Sequence, residues 1–280
     1  MTTATHPIDR LRYGPFGLVR PDETRIIVMC NQKGGVGKTT TTINLAGSLA
    51  LHGQRVLIVD GDPSGNATDG FRLDLIDEDE SDTQVDCLLN GTDPHALVAK
   101  PFENLHVLPA SADMVYLPAR LREGGNAMRK YSRMLAYFMG EYDYILLDTR
   151  PAIDTDTDAM TAASDGAIMM ANVHRWAMKA VGMQLAQHQK IMQDLDRNDF
   201  HELGLVISTA LFGRGQFDKA VLRSLRSHPN LAPLAEIPFR GADLGEAGAE
   251  GKPVAFYRPK SDTAGFFRDV AVKAGMLEAA

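Results

Sequence analysis

Short runs of consecutive apolar residues recur along the chain, and most close on a polar or turn residue. They are Ile26 to Cys30, Val56 to Asp60, Leu105 to Leu108, Tyr144 to Asp148, Ala167 to Met170 and Leu205 to Ile207. Apolar residues in unbroken succession, rather than in alternation with polar ones, suit parallel strands buried on both faces. Between them run helical patterns. After the first run, Ile43, Leu45, Ala46, Leu49 and Ala50 form an apolar stripe that Gly53 can stop, and a second pattern spans about Met178 to Leu195. Alternating strands and helices predict an α/β fold, with a mostly parallel central sheet and helices on both faces. No internal repeat or low-complexity linker divides the chain. Residues 25–280 are therefore expected to form one domain, and residues 1–24, with scattered arginines and prolines, an extension outside the core.

The most informative stretch is Asn31 to Thr40, which directly follows a predicted strand and opens a predicted helix. That context defines a phosphate loop. Gly34, Gly35 and Gly37 permit backbone angles closed to other residues and let N–H groups approach phosphates. The helix starting near Lys38 points its positive end at the same anion. Lys38 can reach β- and γ-phosphates, and the Thr39 hydroxyl can ligate Mg²⁺ directly. Val36 and Thr40 complete the expected ATP-binding run from Lys33 to Thr40. The usual pattern has glycine five residues before Gly37; Gln32 stands there, and a second lysine, Lys33, precedes the glycine pair.

Carboxylates close two further strands: Asp60 and Asp62 the second, Asp148 a later one. Ligands of open parallel sheets bind at the carboxyl ends of strands, so all three can converge on the phosphate loop. There they can hold Mg²⁺ through water and orient an attacking water. These residues predict a P-loop NTPase that hydrolyses Mg-ATP.

Composition adds limits. The chain is 44% hydrophobic and 23% charged, ordinary for a globular protein with a full core. No apolar run is long enough to span a bilayer, and the first residues do not read as a secretory signal. The expected location is the cytoplasm, at the nucleoid if DNA is bound. Cys30 and Cys87 make neither a disulfide framework nor a metal cluster; Cys30 reads as a buried thiol. The net charge is −7, so any nucleic-acid contact needs a local basic patch. Part of the acid lies between Asp74 and Asp86, which reads as a solvated loop.

The run from Lys33 to Thr39 resembles the deviant Walker A motif of the ParA/MinD family of ATPases. Leu57 to Thr68 resembles the segment that follows it in the ParA branch, which serves chromosome and plasmid partition. Further matches include Leu108 to Ser111, Tyr142 to Thr149, Thr209 to Arg214, Ile237-Pro238, Glu246-Ala247 and Gly251 to Pro253. The resemblance implies a homodimer formed face to face on two ATP molecules, with Lys33 reaching the partner's phosphates and Lys38 and Thr39 serving their own. It implies that Asp62 positions the hydrolytic water, that Asp148 is the Walker B carboxylate, and that Thr209, Pro238 and Phe239 border the adenine. It further implies slow intrinsic turnover, non-specific binding of double-stranded DNA, and release by a ParB-like activator.

Within that family, membrane-bound members carry a basic amphipathic C-terminal helix. Here the segment from Phe266 sets Arg268 and Lys273 against Asp269 and Glu278, so no membrane partner is expected. Instead a terminal helix should pack Phe266, Phe267 and Val270 on the body. A cysteine-bound iron–sulfur cluster, used by another branch, lacks its cysteine spacing here. The chain departs from the branch pattern at Ser64, Arg150, Asp243 and the acidic run Asp154, Asp156, Asp158. Arg150 can serve as an electrostatic partner for phosphate or for that aspartate run, and a surface salt bridge is the expected form. Residues 216–227 predict a helix presenting Lys219, Arg223 and Arg226, with Phe217, Val221 and Leu225 packed beneath. Arg214, Lys252, Arg258 and Lys260 extend this candidate DNA surface. No long N-terminal segment for operator recognition is seen, so autorepression is not expected. Two other functions remain open: a membrane-associated or cargo-positioning MinD-like ATPase, and a P-loop ligase that activates a carboxylate with ATP.

Overall fold

A computed structural model of the protein describes residues 24–79, 81–209, 215–238 and 242–278. Eight strands form one sheet: β1 (Arg25–Cys30), β2 (Val56–Gly61), β3 (Ala99–Phe102), β4 (Leu105–Leu108), β5 (Tyr144–Thr149), β6 (Gly166–Asn172), β7 (His201–Ser208) and β8 (Pro233–Ile237). Their order is β3-β4-β2-β5-β1-β6-β7-β8, and every pairing is parallel except β3 with β4. Around it lie α1 (Lys38–Leu51), α2 (Asn66–Asp69), α3 (Gln84–Asn90), α4 (Leu117–Glu123), α5 (Lys130–Leu135), α6 (Thr155–Ala163), α7 (Ala177–Asp194), α8 (Gln216–Arg226), α9 (Ala242–Ala249), α10 (Val254–Tyr257) and α11 (Asp262–Lys273).

The unbroken apolar runs do what their pattern predicts. Along β1, Ile26, Val28 and Cys30 join one hydrophobic core, with side chains of α3 to α8. Ile27 and Met29 join a second core on the opposite face, with α1, α9, α10 and α11. Strand side chains alternate between faces, so a strand covered twice must be apolar at every position.

The two strands absent from the sequence reading are the edge strands, and both contain proline. β3 is four residues long with Pro101 inside it; β8 opens on Pro233. Edge positions tolerate the missing N–H and need no apolar residue at every step, which removes the strand signal.

Packing on α1 is close. A Cβ on Gly47 would lie 2.2 Å from Pro253, just ahead of α10, so this crossing needs glycine. The C-terminal helix packs as expected, burying Phe267 and Val270, while Phe266 is half-buried. The acidic segment is exposed from Asp77 to Asp79 and at Asp82, but Asp86 differs: it completes a capping box with Thr83 at the start of α3. The helix over 216–227 forms as α8, with one correction. Phe217 is 58% exposed, and the buried stripe is Leu222 and Leu225 with Val221 beside it. Phe217 lies about 80° around the helix from Leu225, at the rim of that stripe.

Candidate nucleotide-binding site

Strand β1 ends at Cys30, and the chain turns through Asn31 to Gly37 before α1 begins. The Asn31 side chain fixes the start of this loop: its amide donates to the Met170 carbonyl, and its Oδ1 accepts from Lys33 N at 2.7 Å. Gly35 (φ 72°) and Gly37 (φ 94°) take left-handed angles that side chains resist. Gly37 is also the N-cap of α1 and supplies no side chain, and the first turn carries no acidic residue. The helix therefore presents its N-terminal dipole uncapped to the adjoining space, as an anion site requires.

That space is a cavity of about 440 Å³ lined by Gly34, Gly35, Gly37, Lys38, Thr39, Thr40, Ile43, Asp62, Ser64, Asn66, Thr149 and Pro151. Lys38 is only 7% exposed. Burial pulls its ammonium below the ordinary lysine range, and Asp148 and Asp62 pull against burial. Val36 does not line the cavity; its side chain is buried in the core with α1.

Asp148 lies beneath the loop at the end of β5, fully buried. It accepts from Thr39 Oγ1 at 2.7 Å and from Thr42 Oγ1 at 2.9 Å. Burial, with Asp60 alongside, pushes its carboxyl up to about 7; the two threonines and Lys38 oppose the rise. Thr42 was not foreseen. Thr39 and Thr42 are three residues apart on α1, so they share a helix face, and that spacing was the available signal.

Asp60 and Asp62 have different roles in this geometry. Asp60 pairs with Asp148 across β2 and β5 but does not line the cavity. It accepts from Thr68 N at 2.8 Å, Thr68 Oγ1 at 2.7 Å and Asp62 N at 3.2 Å, so it folds the 62–68 loop back on β2. Burial raises its pKa against those bonds. Asp62 lines the cavity, and its Oδ1 accepts from Ser64 N at 2.9 Å.

Lys33 is exposed and outside the lining of this cavity. It borders a separate pocket with Asn31, Asn172, His174 and Trp176. Thr209 N donates to the Ile237 carbonyl at 2.9 Å, which joins the ends of β7 and β8; neither Thr209 nor Pro238 reaches the phosphate cavity. Phe239 and Arg214 lie outside the described residues.

The structure does bring together a glycine loop, a buried lysine, an uncapped helix start, and a threonine hydroxyl bonded to a buried carboxylate. This set fits a nucleoside triphosphate with Mg²⁺: Thr39, bonded to Asp148, would hold the cation, with Asp62 in the same cavity as a further carboxylate.

The candidate DNA surface is less uniform. Lys219 and Arg223 are exposed on α8 and have no carboxylate partner among the described residues. Arg226 forks onto Glu236 at 2.6 and 2.8 Å. Arg258 pairs with Asp243 and with Glu246, the latter at 2.7 Å, and Lys252 lies 3.8 Å from Glu250. Lys260 is exposed. No described helix is long and apolar enough to cross a membrane.

A family model described as an AAA domain matches residues 24–201. The chromosome-partitioning ATPase Soj of Thermus thermophilus is 34% identical over 249 residues, covering 89% of this chain and 94% of that protein. Two solved structures are also similar. One is the septum site-determining protein MinD of Pyrococcus horikoshii complexed with Mg-ADP, with TM-score 0.67, 27% identity, and 89% and 94% of the two chains covered. The other is cobyrinic acid a,c-diamide synthase from Mycobacterium smegmatis with a bound ATP analog and magnesium, with TM-score 0.72, 27% identity, and 88% and 92% covered. With the phosphate loop, its buried carboxylate and the parallel sheet in place, the chain belongs to the ParA branch of the ParA/MinD family of P-loop ATPases, and its reaction is ATP hydrolysis.

Proposed function

We propose that this protein is a partition ATPase that works as a nucleotide-switched dimer. Two copies close face to face on ATP, the dimer binds double-stranded DNA without regard to sequence, and a ParB-like activator stimulates hydrolysis and release. The observation that carries the dimer is the position of Lys33. It belongs to the phosphate loop yet is exposed and outside the cavity that Lys38 lines, with its backbone pinned by Asn31. A lysine so placed serves a phosphate that arrives from outside, and it offsets the charge two triphosphates would bury between subunits.

Within each subunit, the glycine backbone and Lys38 hold the phosphates, and Thr39 with Asp148 would hold Mg²⁺. When bound, the cation would supply positive charge against the phosphate oxygens. Asp62 orients the attacking water, and Asp60 keeps Asp62 in place by fixing the loop between them and Thr68. Thr209, Pro238 and Phe239 border the base. The working site is the cytoplasm at the nucleoid, and residues 25–280 act as one domain.

Sedimentation with ATP, ADP and no nucleotide, run beside DNA mobility shifts, tests the reading. A dimer and a DNA complex only with ATP are expected, and Lys33→Ala should weaken both while sparing monomeric nucleotide binding. An ATP dimer without DNA affinity would instead leave a positioning role. The similarity to a diamide synthase structure favours a second reading, ATP-dependent activation of a carboxylate. ATP consumption that requires a small carboxylic acid, and ignores DNA, would establish it.

A further inference from the structure

We propose that Arg150 is a positioning residue for nucleotide binding, holding the segment from Thr149 to Pro151 as a fixed wall against the phosphate loop. Arg150 follows β5 directly, two residues beyond Asp148. Its guanidinium donates through Nε to Asp156 at 2.6 Å, and through Nη2 to Asp156 at 2.8 Å and Asp154 at 2.9 Å. The sequence leads one to expect a surface ion pair. The Arg150 side chain is instead 22% exposed and that of Asp156 only 3%, so the pair is largely withdrawn from water.

Both carboxylates belong to the start of α6. Asp154 is its N-cap, bonded to Thr155 N at 2.7 Å, and Arg122 on α4 reaches its other side at 2.6 Å. The loop between strand and helix is thus closed at both ends and braced from a third element. Burial works against the charge on Asp154, but the Thr155 N–H and the two arginines outweigh it and hold the carboxyl below its ordinary range.

The inner side of this loop faces the cavity beside the phosphate loop. Thr149 and Pro151 line the cavity. Pro151 Cγ lies 3.9 Å from where a Cβ on Gly34 would stand, and Thr149 Oγ1 donates to the Met29 carbonyl at 2.8 Å. Without the guanidinium, Asp156 would be buried and uncompensated, and the wall would lose its anchor. The acidic first turn of α6 would also stand unneutralised behind a cavity that receives phosphates. Both effects weaken nucleotide binding, and neither touches the reacting atoms.

The test compares Arg150→Gln, Arg150→Lys and Asp154→Asn with the native chain in Mg-ADP titration, melting, and ATP turnover at saturating nucleotide. ADP affinity should fall about tenfold for Arg150→Gln, the size of one charge-assisted hydrogen bond. The lysine keeps the charge but loses the fork, and the asparagine variant keeps the Asp156 arms, so each should lose about threefold. Saturated turnover should stay within about twofold of native. Unchanged ADP affinity with a lowered melting temperature would reduce Arg150 to a structural ion pair and overturn the proposal. A fall in saturated turnover at unchanged affinity would overturn it too, by placing Arg150 on the reacting groups. If Arg150→Gln does not fold, the other two variants decide by the same criteria.

Discussion

Two sets of charged side chains in this molecule invite comparison: those around Lys38 and those on the surface from α8 to α11. Around Lys38 the charges are buried and held by short bonds to neighbouring strands and α1, and the cavity beside them is shaped by glycine backbone. On the surface, Arg226, Arg258 and Lys252 sit beside their own glutamates or aspartates, while Lys219 and Arg223 on α8 have no such partner among the described residues. A buried charge without partners is costly, so a lysine, two aspartates and two threonines enclosed together restrict one another to few arrangements. An exposed cation is hydrated at little cost whether or not it has a task. Chemistry can therefore be read from the first set, while the second needs the neighbouring acids before it says anything.

The comparison breaks most sharply at Lys38. Lys38→Ala should reduce Mg-ATP binding by more than about a hundredfold in a titration, because the cavity loses its point charge and leaves Asp148 and Asp62 uncompensated beside the phosphates. Binding equal to that of the native chain would mean that the cavity is not the phosphate site.

Asp62→Ala should separate binding from turnover. The cradle of backbone, Lys38 and Thr39 survives, so ATP affinity should change less than about threefold, while hydrolysis falls roughly a hundredfold for want of an oriented water. Light scattering with ATP should then find a long-lived dimer. Turnover at the native rate would remove Asp62 from the mechanism.

How far this was legible follows the same division. The loop from Lys33 to Thr40 and the strand-ending Asp148 could be read directly, because backbone angles, helix start and strand end are local properties. The distinct task of Asp60 could not. Its partner Thr68 is eight residues away across an irregular loop, and nothing local separates a loop-folding aspartate from a metal-facing one. Arg150 was legible as a residue with acidic neighbours, but its burial depends on α4 and α6 closing over it. Phe217 was misjudged because three apolar residues at four-residue spacing drift around a helix of 3.6 residues per turn. Neither edge strand carries the continuous apolar run that revealed the central ones.

The smallest expected effect lies within the cationic surface and tests whether pairing there matters. DNA binding through phosphates releases counterions, so each engaged cation adds nearly one unit to the slope of affinity against salt on logarithmic axes. Lys219 and Arg223 face solvent on one side of α8, whereas Arg258 must leave Asp243 and Glu246 before it can meet a phosphate. Reversing Lys219 and Arg223 together should lower the ATP-dependent DNA affinity at least tenfold and reduce the salt slope by about two. Arg258→Ala should change affinity by less than about twofold and leave the slope nearly intact, since Arg258 is already held by Asp243 and Glu246 and engages no phosphate while those pairs stay closed. ATP-driven dimerisation in sedimentation runs should be native in both variants. If Arg258→Ala proves as damaging as the double reversal, the ion pairs with Asp243 and Glu246 open on DNA, and the binding surface extends from α8 across to α10.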